Sequence, residues 1–162
     1  MFVFLVILVL GKTTLLNILA KVIKPDSGVI TGIQGRRISY VFQDDRLLSW
    51  LSVRKNLEIS NILSLEELEY LLEYFEIKTS ENKLIKELSG GMKRKVDLIK
   101  AILFDGDIFI LDEPFNGIDD KSKEKIINLL LEKAKSKLII IVTHDLNDAK
   151  KFGTIYDITV KK

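Results

Sequence analysis

Two short runs without a single polar residue limit what this chain can fold into. They are Ile108-Phe109-Ile110-Leu111 and Leu138-Ile139-Ile140-Ile141-Val142. Each is too short for a buried helix, and neither alternates apolar with polar. A strand apolar on both faces belongs in a sheet covered on both sides, and such sheets are parallel with helical crossovers. Residues 120–135, between the two runs, have the spacing of an amphipathic helix, as a parallel connection requires. Further strands are predicted over 2–9, 29–31, 38–42 and 155–160, and helices over 13–22, 89–104 and 145–152. Residues 44–87 read as mostly helical. There Ser64 and Glu67 have capping-box spacing, and Leu65, Leu68, Leu71, Leu72 and Phe75 fall on one face. The expectation is an α/β fold, a mostly parallel sheet flanked by helices. At 162 residues it amounts to one domain with room for a real core.

In open parallel sheets, ligands sit beyond the C-terminal ends of the strands, and the chemically distinctive residues fall there. Gly11-Lys12-Thr13-Thr14 ends a strand and opens a helix, whose free N–H groups and dipole favour phosphate. In that setting Lys12 reaches the β- and γ-phosphates and the Thr13 hydroxyl ligates Mg²⁺. Asp112-Glu113 caps an apolar strand, placing one carboxylate beside a metal and the next where it polarises water. Gln43 follows the 38–42 strand, and His144, the one histidine, follows 138–142. Ser89-Gly90-Gly91 opens a helix where backbone can approach a ligand closely, because no Cβ intrudes. Taken singly, each has a plainer reading: a helix start with a surface lysine, solvated strand-end acids, a serine N-cap, a surface histidine or glutamine.

Order and spacing decide between these readings. Ser89 precedes Asp112 by 23 residues, and Asp112 precedes His144 by 32. Leu88-Ser89-Gly90-Gly91-Met92, with the GKTT, the strand-end Gln, the Asp-Glu strand and the strand-end His in this order, resembles the nucleotide-binding domain of ATP-binding-cassette (ABC) ATPases over residues 11 to about 157. The resemblance implies a P-loop NTPase fold in a single domain over 1–162. Its RecA-like core covers about 1–43 and 88–162, and a small helical subdomain covers about 44–87. It implies ATP and Mg²⁺ as ligands. Gly11, Lys12, Thr13, Thr14 and Gln43 are then ATP-binding, and Thr13, Gln43 and Asp112 ligate the metal. Glu113 is the catalytic base and His144 the γ-phosphate sensor. Ser89, Gly90 and Gly91 contact ATP held by a partner subunit, and Asp119 belongs to the D-loop. The implied partners are a second ABC subunit (a homodimer closing on ATP), a transmembrane permease and a solute-binding protein. The implied location is cytoplasmic, on the inner face of the cell membrane. Residues 46–50, Arg-Leu-Leu-Ser-Trp, are similar to a stretch of the nitrate, sulfonate and taurine importer ATPases that reads R-L-L-P-W. Leu47, Leu48 and Trp50 there suit either permease docking or a helical-subdomain core.

Bulk properties agree with this reading. A net charge of +2 gives no argument for nucleic acid. ABC proteins of chromosome structure and repair insert long coiled coils, whereas residues 44–87 lack sustained heptads. Zero cysteines exclude disulfides and thiolate metal sites. The longest apolar run, residues 1–10, is half the roughly 20 residues a spanning helix needs, and it lacks the basic start and cleavage site of a signal peptide.

That run is also the main departure. The phosphate-loop pattern calls for glycine at position 6, with a further ABC glycine at position 9, and both are valine. β-Branched residues resist the backbone angles of a phosphate nest, so poor ATP binding is expected, with a degenerate or truncated ABC domain as the alternative function. The antiparallel β-subdomain and its adenine-stacking aromatic are expected to be largely missing, and Arg94 stands where the signature helix carries Gln. Leu5-Val6, Leu8-Val9 and Leu10-Gly11 repeat with the glycine spacing of an intact loop. Reading one base out from leucine codons that end in G gives glycines at those places. Residues 1–10 therefore read as an out-of-frame translation of a normal loop, which the underlying DNA tests.

Overall fold

The computed structural model describes residues 2–7, 11–60, 64–152 and 155–157, the first and last of these segments as backbone only. Among the described residues, five strands form one sheet: β1 (Phe2–Ile7), β2 (Ile38–Val41), β3 (Ile108–Asp112), β4 (Leu138–Val142) and β5 (Ile155–Asp157). Their order is β2-β3-β4-β1-β5, and every pairing is parallel, with Val6 opposite Val142 and Asp112 opposite Val142 from the other side. All five residues of β3 are buried, as an uninterrupted apolar strand requires. The last residues of the strands predicted over 2–9 and 155–160 lie outside the described residues, as does Gly153.

Six helices occur among the described residues: α1 (Lys12–Leu19), α2 (Val53–Glu58), α3 (Leu65–Tyr74), α4 (Gly90–Phe104), α5 (Asp120–Lys133) and α6 (Leu146–Lys151). Most open on side-chain caps. Ser52 accepts from the Lys55 N–H (3.3 Å), Ser64 from the Glu67 N–H (3.2 Å), Ser89 from the Met92 N–H (3.3 Å), and Asp145 from the Asn147 N–H (2.8 Å). Each satisfies an orphan donor of the first turn.

Two sequence expectations are corrected. Residues 29–31 form no strand. Gly28 and Gly32, on either side, both adopt positive φ, so the three-residue run is bent away at each end before it can pair. Residues 44–87 are less helical than predicted: only α2, α3 and two single 3₁₀ turns occur among those described, with 44–52 irregular. Leu65 is 67% exposed, whereas Leu68, Leu71, Leu72 and Phe75 are buried. Leu65 is the first residue of α3, and the buried face starts one turn later.

The chain divides into two compact units. The first comprises residues 1–43, 106–114 and 130–162, and the second 44–105 and 115–129. In the first, Leu16 of α1 packs with Ile33, Ile108, Ile110, Ile140 and Val142. Ser39 ties two segments of this unit together, its hydroxyl accepting from the Gly106 N–H at 2.9 Å. In the second, α2 and α3 both pack on α4, with Val53, Leu57, Leu68, Leu72, Val96 and Ile99 fully buried.

Candidate active site

The sheet of the first unit sends three strand ends and one helix start to a common edge. Gly11 leads into α1 with φ 79°, a left-handed conformation open to glycine at little cost. Lys12 and Thr13 follow on the first turn. β3 ends on Asp112 and delivers Glu113, β2 is followed by Gln43, and β4 by Thr143 and His144.

These side chains meet. The Lys12 Nζ lies 2.6 Å from Glu113 Oε1, and His144 Nδ1 lies 2.8 Å from Glu113 Oε2. The Thr13 hydroxyl donates to Asp112 Oδ2 at 3.1 Å and is 3.5 Å from Gln43 Oε1. Burial grades across the cluster. Asp112 is fully buried and the Glu113 side chain is 4% exposed, whereas those of Lys12 and His144 are 25% and 73% exposed. A buried carboxylate is costly unless paired, and Glu113 is paired on both oxygens. Its backbone is also constrained, with φ 49° and its N–H donating to the Val142 carbonyl at 2.8 Å. A left-handed glutamate stores of order 1–3 kcal/mol, and such strain clusters at functional sites.

Thr13 Oγ1, Asp112 Oδ2 and Gln43 Oε1 form a set of hard oxygen donors of the kind Mg²⁺ takes. Thr14 is exposed on the first turn of α1. Residues 8–10, before Gly11, lie outside the described residues. Val6, at the first loop-glycine position, sits in β1, paired with Val142 and Tyr156.

The remaining predicted residues lie in the second unit. Ser89 caps α4 and Gly90 and Gly91 open it. A Cβ on Gly91 would fall 2.1 Å from the Gly117 carbonyl oxygen, so only glycine admits this backbone approach. Asp119 caps α5, its Oδ1 accepting from the Ser122 N–H at 2.9 Å. Three charged residues of α4 are buried, Arg94, Lys95 and Asp97, and sequence reasoning did not single out the last two. A signal for each was present. Lys95 follows Gly91 by four residues, hence shares its face, and Asp97 interrupts the apolar Val96-Leu98-Ile99.

A parallel sheet with a lysine-bearing helix start, a strand-end Asp-Glu pair and a hydroxyl beside the aspartate defines a P-loop NTPase of the ABC ATPase type. A family model described as ABC transporter matches residues 10–116, and the chain belongs to that family. It is 34% identical to a taurine import ATP-binding protein, TauB, of Jannaschia sp., an alignment covering 88% of this chain and 59% of the relative. It is 31% identical to the aliphatic sulfonates import ATP-binding protein SsuB of Bacillus subtilis, with 88% and 61% covered. The chain thus spans about three fifths of the length of these curated relatives. Among solved structures, the ATP-binding cassette MJ0796, a dimer bound to ADP and Pi, superposes with a TM-score of 0.83 at 26% identity, covering 97% of this chain and 80% of that one. An ATP-binding subunit of an ABC transporter superposes with a TM-score of 0.85 at 25% identity, covering 97% and 74%.

Proposed function

We propose that the chain is the ATP-binding and ATP-hydrolysing part of an ABC transporter, and that one observation above all carries this reading: Lys12, Thr13, Gln43, Asp112, Glu113 and His144 converge at the C-terminal edge of the sheet. Lys12 and the first-turn N–H groups of α1 bind the phosphates. The Lys12 ammonium is held by Glu113 (2.6 Å). An incoming phosphate draws Lys12 away, and Glu113 is released to accept the proton of an attacking water. His144, bonded to the second oxygen of Glu113, orients that carboxylate and faces the γ-phosphate side. Thr13, Gln43 and Asp112 would hold Mg²⁺, which when bound neutralises charge on the β- and γ-phosphate oxygens.

Neither copy is complete in this reading. Ser89, Gly90 and Gly91 begin the 15-residue α4, whose N-terminus directs N–H groups at the γ-phosphate held by a second copy. ATP therefore closes a homodimer and hydrolysis reopens it. The importer assignment rests on the names of the relatives, as does a sulfonate or taurine-like solute; a permease, a solute-binding protein and a place on the inner face of the membrane follow from the family resemblance. Trp50, 67% exposed, and the half-buried Leu47 and Leu48 offer the permease an apolar contact. No described helix is long and apolar enough to cross the membrane itself.

A specific observation supports the second reading, a degenerate cassette with impaired ATP binding. Val6 lies within a hydrogen-bonded strand where the first loop glycine is called for, and Val9 occupies the place of another. Titration of the chain with ATP, with and without Mg²⁺ and with Lys12→Ala as control, separates the two. Micromolar binding that depends on Lys12 supports a working ATPase, and absence of binding leaves the remnant.

A further inference from the structure

α4 does more in this fold than present Ser89 at its start. Gly91 and Lys95, one turn apart on the same face, are both joined to the segment 115–122. At Gly91 the join is backbone on backbone, with room for no side chain, since a Cβ there would lie 2.1 Å from the Gly117 oxygen. One turn later the Lys95 Nζ donates to Ser122 Oγ at 2.8 Å and lies 3.8 Å from Asp119 Oδ2. Ser122 closes the ring: its N–H donates to Asp119 Oδ1 at 2.9 Å, and its hydroxyl bonds the same carboxylate. Lys95 is only 9% exposed. A lysine rarely gives up its hydration unless specific partners replace it, and here both lie on this one segment. Asp119, by contrast, keeps 63% of its side chain open to solvent. The carboxylate is gripped from beneath and presented outward.

We propose that Lys95 is a positioning residue: it fixes Asp119 and the 115–119 segment against the Ser89-Gly90-Gly91 start of α4, so that both reach the nucleotide site of a second copy as one rigid element. This rests on the dimer described under Proposed function, and it adds the part that keeps the two trans-acting pieces in register. Gly91 sets the distance between them, and Lys95 sets the orientation of the carboxylate. Without the ammonium the 115–119 segment keeps its glycine contact but loses the charged anchor, and Asp119 samples several rotamers.

The test uses the full chain with Lys95→Met and Lys95→Arg, read in two ways. In the first, the Asp119 carboxyl carbon is titrated by NMR. That group is held below the ordinary aspartate range, first by the Ser122 N–H, then by the Ser122 hydroxyl, with Lys95 adding to both. Lys95→Met is expected to move the titration upward, and Lys95→Arg to return it towards the wild-type position. In the second, ATP turnover of Lys95→Met is expected to fall about tenfold in kcat, the loss of one charged hydrogen bond. KM for ATP stays within about twofold, because Lys95 touches no bound nucleotide in its own subunit, and Lys95→Arg recovers most of kcat. Should Lys95→Met fail to fold, Ser122→Ala removes the hydroxyl between lysine and carboxylate and is expected to shift Asp119 in the same direction. An Asp119 titration unmoved by Lys95→Met, or a kcat loss undiminished in Lys95→Arg, overturns the proposal. A wild-type chain that turns over no ATP refutes the functional reading, and the Asp119 titration then decides on Lys95 by itself.

Discussion

Replacing Asp97 by asparagine should stabilise the chain, and only above acid pH. Asp97 sits on α4 between Val96 and Leu98 in sequence, 8% exposed. One oxygen accepts from the Arg46 backbone N–H, and the other, Oδ2, is buried with no hydrogen-bond partner among the described residues. Burial pushes its pKa from 3.8 up to about 6. Arg94 and Lys100 oppose that rise, and Asp45 adds to it. The native state therefore prefers the neutral acid, whereas the unfolded chain ionises it freely. The raised folded pKa means that its effect is absent below the unfolded value near pH 4. The cost grows as pH rises and levels off above about pH 6. A shift of about 2 units corresponds to about 3 kcal/mol at neutral pH, taken as a ceiling. Asparagine copies the shape of the neutral acid and cannot ionise. In urea unfolding, Asp97→Asn and wild type should match near pH 4. At pH 7.5 the variant should gain about 1–3 kcal/mol, or roughly 2–4 °C in Tm per kcal/mol at this size. A difference that is the same at both pH values, or a variant less stable at pH 7.5, refutes the reasoning.

Gly91→Ala places a methyl group 2.1 Å from the Gly117 carbonyl oxygen, so thermal denaturation should show a loss of about 1–3 kcal/mol from forced displacement. Glu113→Gln removes the acceptor for a water proton. Phosphate release should fall by a factor of about 10²–10⁴, while ATP binding survives, because glutamine retains the bond to His144 and loosens the hold on Lys12.

Legibility from sequence followed burial. β3 and β4 were readable because strands buried on both faces leave no room for polar residues. The strand-end residues were readable because a parallel sheet gathers its chemistry at one edge, and Lys12, Thr13, Gln43, Asp112, Glu113 and His144 do lie together there. The 29–31 run misled because β-branched composition describes a surface suited to a sheet, not the presence of a partner strand. Leu65 shares the face but not its cover, because helical periodicity locates a face and not where along the helix burial begins. Lys95 and Asp97 escaped for a different reason. Charged residues on a helix read by default as solvated, and their burial depends on residues 115–122 and 45–46, brought to them only by tertiary folding. The left-handed backbone of Glu113 has no local signature, since glutamate carries no preference for that conformation.

ATP affinity of the Val6→Gly/Val9→Gly chain, measured beside the wild type by calorimetry, bears most directly on whether the Lys12–Glu113 cluster is a nucleotide-phosphate site. Glycines at 6 and 9 allow the loop to fold into a phosphate nest in front of a lysine and helix start that are already in place. Affinity should rise at least about tenfold, the worth of one good hydrogen bond to a charged group, and Lys12→Ala in the same background should abolish the gain. If neither chain binds ATP, or if the gain survives Lys12→Ala, the cluster at the sheet edge is not where nucleotide binds.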